Sequence, residues 1–360
     1  MPIPKSLKII LLTCGVIVLL TVSLFLFLSH WLKQKMISDL EENTEFKVQI
    51  GELSLGMNSA TMTSFEMTPK LDKDSSQLIN QYQKDWVTTK VNDLQFSGIN
   101  WYDILVRKRI EIERMTITQP DIYIYRDNSL PDKNQYKALP AKLLRNTDLR
   151  FTIKAVELVQ GIITYEKKEG KSIPPVSIVF NNAMASITSL STDSLFVSEN
   201  PLMEVNIQAD MLDSIKTEVS CTINLQSPKD EFVFKGNIKS FNGVILNSFL
   251  RPLSNVEVTS GYIRSIHFAM NANEEIAIGK LDMDYQDLKL NILSKESPGE
   301  KSNLKTFLGN IFIRDKDKEK IHEAKPTGEI RYERRKDRFI FNYWYCAVRA
   351  GIVSSVSTTK

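Results

Sequence analysis

Regular alternation of apolar and polar residues, from about residue 46 onward, is the feature that most limits what this chain can fold into. Val48 and Ile50 are separated by polar residues, and the same pattern returns at Val205, Ile207 and Ala209. Such a period of two is typical of strands with one apolar face. About seventeen short segments of this kind follow one another, and helical patterns are few and short. The sequence therefore predicts a mainly β fold: an elongated, curled, mostly antiparallel sheet that forms a groove, with a few short helices.

The apolar side of this sheet holds the main functional candidates. A large open sheet with one apolar face must curl, close on itself or be covered. Two interpretations stay open: the halves of the sheet pack together into an ordinary core, or the face forms a groove that binds lipid acyl chains. The candidate groove residues are Ile110, Ile112, Ile117, Ile122, Ile124, Ile153, Val156, Val205, Ile207, Val219, Ile223, Phe232, Phe234, Ile266 and Phe268.

The N-terminal segment contains one long uncharged apolar run, residues 9–28. At about 1.5 Å per residue, this run is long enough for a bilayer core of about 30 Å. We interpret it as an uncleaved transmembrane helix, with most of the chain outside the cytoplasm. A cleaved signal peptide would have a shorter apolar region, and a lipoprotein signal would end near its cysteine, whereas Cys14 lies early in the run. The predicted divisions are a tail (1–8), the transmembrane helix (9–28), a helical stem (29–44), the β domain (45–338) and a C-terminal segment (339–360).

Composition and motifs argue against several classes of protein. The 46 Lys and Arg against 43 Asp and Glu give a net charge of +3, too balanced for a nucleic-acid-binding surface. We find no nucleophile elbow, phosphate-binding loop or dinucleotide fingerprint, so the sequence predicts neither an enzyme nor a cofactor. Asp282, Asp284 and Asp287 lack the further ligands of a calcium loop, and no metal site is predicted. A disulfide between Cys221 and Cys346 is possible in an oxidising compartment.

The C-terminal segment has two competing interpretations. Basic residues precede an aromatic and aliphatic stretch, which suits the interface of an anionic membrane. The same pattern is typical of a last strand and helix that cap the open end of a sheet. The candidate membrane-docking residues are Arg334, Arg335, Arg338, Trp344, Val348 and Ile352.

Several segments together resemble the AsmA-like family of bridge-like lipid-transfer and outer-membrane biogenesis proteins. The likeness covers nearly the whole chain and consists of patterns of residue type. The segments that carry it are FKVQIGELSL (46–55), VNDLQFSGI (91–99), IEIERMTITQPDIYI (110–124), IKAVELVQGIITY (153–165), LNSFLRPL (246–253), 256–261 and GKLDMDYQDLKL (279–290).

The resemblance implies a single-pass inner-membrane anchor and a periplasmic β groove that handles phospholipids or supports outer-membrane biogenesis. Its implied partners are membrane phospholipid and, at the C-terminal end, a protein of the cell envelope. An estimated sheet length of about 80 Å is too short to cross an envelope alone. The alternative function is a non-enzymatic structural adaptor of an envelope complex, with a closed β core.

Overall fold

A computed structural model describes residues 29–42, 44–71, 82–83, 85–131, 134–168, 174–254, 256–292, 323–324 and 327–356. The fold is mainly β, with one large mixed sheet and few helices, which confirms the predicted class. The strands are β1 Phe46–Ile50, β2 Leu53–Leu55, β3 Ser59–Pro69, β4 Asp85–Ser97, β5 Ile110–Thr118, β6 Asp121–Asp127, β7 Phe151–Lys168, β8 Val176–Ser191, β9 Leu202–Met211, β10 Ile215–Asn224, β11 Phe232–Ile238, β12 Phe241–Asn242, β13 Val256–Ala272, β14 Ile276–Ile292, β15 Glu323–Ala324 and β16 Thr327–Glu333.

The helices are short and lie between strands or at the ends of the described chain. They are α1 over residues 29–42, α2 Trp101–Leu105, α3 Pro140–Arg145, α4 Ser194–Glu199, α5 Asn247–Ser254 and α6 Ile340–Val356, with a 3-10 turn at Gly243–Leu246. The sequence predicts a helical stem, a helical turn at 101–106 and a C-terminal helix, and α1, α2 and α6 lie at these positions. The sequence also predicts a helix at 75–84 and a strand at 311–313, and of these segments the structure describes residues 82–83 alone.

Within the described residues, the strands form one 16-stranded sheet with the main order β1-β3-β4-β5-β7-β8-β9-β10-β11-β13-β14-β15. Neighbours pair antiparallel, except that β5 and β6 both run parallel to β7. A parallel pair needs a crossover connection, and residues 128–150, which include α3, supply it. This segment is called the strap below.

Cross-strand registers show that one face of the sheet is apolar from β3 to β16. Paired residues lie on the same face, so a row of partners reads along that face. One such row is Ala60, Phe96, Met115, Val156, Ile187, Val205, Cys221, Phe234, Met270, Gly279 and Ile330. The next is Met62, Leu94, Ile117, Leu158, Ala185, Ile207, Val219, Gly236, Phe268, Leu281 and Gly328.

Residues with positive φ keep the apolar face continuous where the long strands bend. Gln119, between β5 and β6, has φ 49, Gln160 in β7 has φ 56, and Asn182 in β8 has φ 51. Each inserts one extra residue, so the inward residues resume on the same side after the bend. Side-chain hydrogen bonds link neighbouring bends, such as Asn92 Nδ2 to Gln119 Oε1 at 2.9 Å. The breaks in the alternation at Gln119-Pro120 and at Gln160-Gly161 are therefore bulges within a continuous sheet.

Helices cover both edges of the sheet. At the β1 edge, the Val48 N–H donates to Glu41 Oε1 of α1 at 2.9 Å, and Lys33 donates to the Gly51 carbonyl. At the β16 edge, the Glu329 N–H donates to Ser354 Oγ of α6 at 3.0 Å. Backbone groups at an open edge can template pairing with other chains, and these side chains occupy some of them.

The predicted localisation is corrected by the lengths and compositions of the helices. Within the described ranges, none is both long enough and apolar enough to cross a membrane. Helix α6 has 17 residues, includes Arg349 and packs in the core, whereas a span needs about 20 apolar residues. This finding overturns the single-pass, inner-membrane and periplasmic localisation, and the apolar run at 9–28 lies outside the described residues.

The two cysteines of the described β body are free, so the suggested Cys221–Cys346 disulfide does not form. Cys221 is buried in β10, where loss of hydration raises the pKa of its thiol to about 12. Cys346 lies in α6 and is partly exposed. We expect iodoacetamide at pH 8 to alkylate Cys346 in the folded protein while Cys221 stays unmodified, because only the thiolate reacts. Peptide mass spectrometry with and without denaturant measures this, and rapid alkylation of native Cys221 would contradict its placement.

Candidate functional site

Three core clusters divide the apolar face into covered and uncovered regions. The largest, called the C-terminal cluster below, contains residues of β9 to β16 and is covered by α6 and part of the strap. A second lies at β1, β3 and β4, where Met36 and Ile37 of α1 pack against it. A third contains Ala60, Ile99 and Ile112, with Trp101 and Ile104 of α2 against it.

Most of the predicted groove residues lie in covered regions. The C-terminal cluster includes Ile223, Phe232, Phe234, Ile266 and Phe268 as buried residues, with Val205 and Val219 packed against them. Ile112 is buried in the third cluster, where Ile110 and Ile153 pack against it, Ile117 packs against the second, and Val156 is buried on the same face. The surroundings of these residues match an ordinary packed core, which is one of the two interpretations that the sequence allowed.

The remaining predicted residues, Ile122, Ile124 and Ile207, belong to a region that lies outside the three clusters of the described residues, here called the central face. They are partly exposed and lie outside the three clusters, whereas Val205 and Met211, further along β9 on the same face, pack against the C-terminal cluster. The central face comprises Ile122, Ile124, Leu158, Ile163, Tyr165, Ile178, Phe180 and Ile207. Two cross-strand rows organise it, Ile122–Ile163–Phe180 and Ile124–Tyr165–Ile178.

Ile178 and Phe180 were missed because strand β8 was not recognised in the sequence. Its first residues do alternate, with Val176, Ile178 and Phe180 separated by Ser177 and Val179. The apolar Val179 weakens the alternation, which hides the strand. Pairing with β7 then places Ile178 and Phe180 beside Tyr165 and Ile163.

The strap packs on the C-terminal cluster and is held by polar contacts at both ends. At its start, burial alone would raise the pKa of Asp127, but hydrogen bonds from Ser129 and the charge of Lys168 bring that pKa below its usual value. Further along, Leu139 and Ala141 are buried in the C-terminal cluster. Rotation of the strap away from the face would expose both side chains.

The far end of the strap is tied to the turns between later strands. The Tyr136 hydroxyl donates to Glu274 Oε1 at 2.5 Å, and the Lys142 ammonium lies 3.6 Å from the same oxygen. The hydrogen bond from Tyr136 is the largest cause of a lowered Glu274 pKa, and Lys142 adds to it against the cost of burial. Arg145 donates to the Leu225 carbonyl at 2.9 Å and pairs with the buried carboxylate of Asp230.

The predicted membrane-docking residues lie mainly in the cap formed by α6. Trp344, Val348 and Ile352 pack against the C-terminal cluster, and the Trp344 ring stacks on Phe234 with centroids 4.3 Å apart. Arg334 is 7% exposed and donates to the Lys137 carbonyl of the strap. The cap interpretation accounts for these contacts.

The two other arginines of the predicted docking set share one partner. Arg335 lies 2.6 Å and Arg338 3.2 Å from Asp337. Of the whole predicted set, Arg335 is the exposed member. Among the described residues, no contact of these arginines favours membrane docking. Docking of this segment on a membrane therefore stays a prediction.

Acidic side chains of β14 are engaged within the protein. Asp282 accepts a hydrogen bond from the Thr327 hydroxyl at 2.6 Å, and Asp284 lies 3.4 Å from Arg264. In the part of the chain that the structure describes, no three His, Cys, Asp or Glu side chains are grouped to hold a metal ion.

No protein-family model matches the chain, and no curated protein matches it. The likeness to the AsmA-like family therefore rests on the sequence patterns alone.

Proposed function

We propose that this chain is a non-enzymatic lipid-binding protein that holds phospholipid acyl chains on the central face. The observation that carries the proposal is the run of partly exposed apolar side chains across β6 to β9, between packed clusters. Soluble proteins rarely leave a contiguous apolar area of this kind without a ligand or partner. The resemblance to the AsmA-like family supports the same class of ligand.

The chemistry of the central face suits hydrocarbon and not a head group. Its two rows contain Ile, Phe and Tyr side chains. The next row on the same face begins with Arg126 and Lys167 and ends the apolar region, and the Arg126 guanidinium already lies 3.1 Å from Asp85. Each methylene group of an acyl chain that leaves water for such a surface contributes about 0.8 kcal/mol. Selectivity for one head group is therefore not expected from these residues.

A structural adaptor with a closed core is the second candidate, and the C-terminal cluster favours it. There the same apolar face is fully covered, with Leu281 and Ala347 at 0% exposure. If the adaptor role is correct, the central face is covered by another protein and carries no lipid.

Neighbouring residues on opposite faces of β7 provide a matched test. Ile163 belongs to the central face, whereas Ile162 pairs with Asp121 on the other face and is 43% exposed. We expect Ile163→Asp to lower acyl-chain binding about tenfold, because a carboxylate must be dehydrated beneath the bound chain. Ile162→Asp is expected to change binding less than about twofold, because its carboxylate stays in water.

The measurement uses the full chain and a phospholipid with a photoactivatable acyl chain. Mass spectrometry locates cross-links, which are expected in peptides of β6, β7 and β8 and are reduced only by Ile163→Asp. Circular dichroism checks that both variants fold, and any lipid bound elsewhere in the chain is common to both. Equal labelling of the two variants, or no labelling of these strands, would reject acyl-chain binding here and favour the adaptor role.

A further inference from the structure

We infer that one end of the sheet docks onto the surface of a phospholipid bilayer through an exposed apolar tip. The tip surface consists of Tyr102, Leu105, Val106, Leu149 and Leu195, which are between 54% and 73% exposed. This proposal concerns residues outside the central face and goes beyond the proposed function, so either can fail without the other.

Helix α2 presents its two sides to different surroundings. Trp101 and Ile104 pack on the third core cluster, and the Trp101 indole donates to the Gly56 carbonyl at 3.0 Å. Tyr102, Leu105 and Val106 have the i, i+3 and i+4 spacing of one helix face. Their exposed fractions are 59%, 62% and 61%. The inner side of the helix thus fixes it to the sheet while the outer side displays three apolar residues.

Sheet topology brings the other two tip residues to the same end. Strands β5, β7 and β8 are neighbours, α2 precedes β5, Leu149 precedes β7, and α4 with Leu195 follows β8. The Thr192 hydroxyl donates to the Leu149 carbonyl at 2.6 Å, which joins the start of β7 to the end of β8. All five residues therefore belong to neighbouring connections between strands, at one end of the sheet.

A polar network beneath the tip holds α2 and α4 in place. Asp103 is 2% exposed and lies 2.9 Å from Arg107 and 3.9 Å from Arg109. Arg109 also lies 3.4 Å from Asp193, whose carboxylate caps the N-terminus of α4. Hydrogen bonding to Glu111 is the largest cause of a raised Arg109 pKa, and Asp193 and Asp103 add to it against burial. The apolar side chains thus stand on a rigid support and not on loose loops.

Charge around the tip favours an anionic lipid surface as the occupant. Lys108 and Arg150 are exposed, and within the described ranges neither has a carboxylate at ion-pair distance. The exposed carboxylate of Asp148 lies beside Leu149, and the exposed side chain of Arg107 adds a third cation, so exposed cations outnumber this anion at the tip. Tyrosine and aliphatic side chains beside Lys and Arg are the composition that interfacial membrane contacts use. A protein partner would need pockets shaped for each protruding side chain, whereas a fluid bilayer accepts them without preformed complementarity.

The test places an environment-sensitive fluorophore at one tip position of the full chain. Leu105→Cys is labelled in a background with Cys14→Ser and Cys346→Ser, in which Cys221 is buried. With phosphatidylcholine–phosphatidylglycerol vesicles we expect a fluorescence increase of about threefold, as the probe enters the interface. The same probe at Ile278, which is 49% exposed on β14, is the matched control and should not respond. Because the signal is local, vesicle binding by other parts of the chain does not produce it.

Two further variants test the assignment of lipid as the partner. Lys108→Gln combined with Arg150→Gln should weaken the response to anionic vesicles about tenfold and leave the response to pure phosphatidylcholine unchanged. A probe at Leu195→Cys should lose its response when Leu105 and Val106 are both changed to Glu, if the tip inserts as a unit. No response at Leu105, an equal response at Ile278, or a response only to added protein would overturn the proposal.

Discussion

Truncation of the chain after Arg338 is expected to unfold the C-terminal half of the sheet. The deletion removes α6, whose Ile340, Tyr343, Ala347 and Val356 are buried in the largest core cluster. Removing a large buried side chain typically costs about 3–5 kcal/mol, and whole domains are stable by only about 5–15 kcal/mol. The loss of several such residues therefore exceeds what the remaining contacts can offset.

Point substitutions within α6 provide the graded form of this prediction. Tyr343 is 1% exposed, its ring meets Phe232 edge-on with centroids 5.9 Å apart, and its hydroxyl donates to the Asn273 carbonyl at 3.2 Å. Tyr343→Ala is expected to lower the free energy of unfolding by about 3–5 kcal/mol. Phe341→Ala, at a position 67% exposed in the same helix, should change it by about 1 kcal/mol or less, since its ring meets the Trp344 ring edge-on with centroids 5.3 Å apart.

Urea denaturation followed by circular dichroism measures these differences. If the truncated chain keeps a cooperative transition with an unchanged midpoint, α6 is not a structural cap. Membrane docking by the C-terminal segment requires that outcome, since a helix that leaves the sheet to bind lipid must be dispensable for the β body. The experiment therefore separates the two interpretations that the sequence left open.

Replacement of Arg145 by Met is expected to destabilise the protein by about 3 kcal/mol, the second large effect. Arg145 of α3 pairs with Asp230, which is 1% exposed in the turn between β10 and β11. Without the guanidinium, the buried carboxylate loses its ion-pair partner and keeps only the more distant charge of Lys142, and breaking a buried pair typically costs about 3–5 kcal/mol. We take the lower end because the Arg145 side chain is 35% exposed, so that water screens part of the attraction.

An exposed ion pair on the same sheet is the matched control. Arg114 pairs with Glu157 across β5 and β7, and both side chains are more than 40% exposed. Arg114→Met should therefore change the unfolding free energy by no more than about 1 kcal/mol. Equal effects of the two substitutions, measured by urea denaturation, would show that the Asp230 carboxylate is hydrated and that the strap is not held by this pair.

The sequence was sufficient to predict most of the strands, because the alternation that marks a strand is a local pattern. The alternation at Val205, Ile207 and Ala209 reflects which side of a pleated strand each residue occupies, and this holds for almost any partner strand. It was insufficient for β8, where Val179 and the positive-φ residue Asn182 interrupt the period. It also could not show that β5 and β6 pair in parallel with β7, since that pairing depends on the path of the strap.

The same limit applies to the C-terminal helix and the tip. The spacing of Trp344, Val348 and Ile352 describes one helix face and is the same whether that face meets a bilayer or a sheet. For α2, the sequence likewise indicated a helical turn but did not show which of its apolar residues face outward. Contacts with residues distant in sequence, such as Phe234 for Trp344, decide both questions.

By itself, the sequence determined a mainly β chain with apolar residues concentrated on one face of its strands, because side-chain alternation is a property of the strand alone. Tertiary structure decided which stretch of that face is buried under α6 and the strap and which stretch, from Ile122 to Ile207, stays partly open. Coverage depends on where distant segments pack, and that packing is set by long-range contacts which no local pattern records.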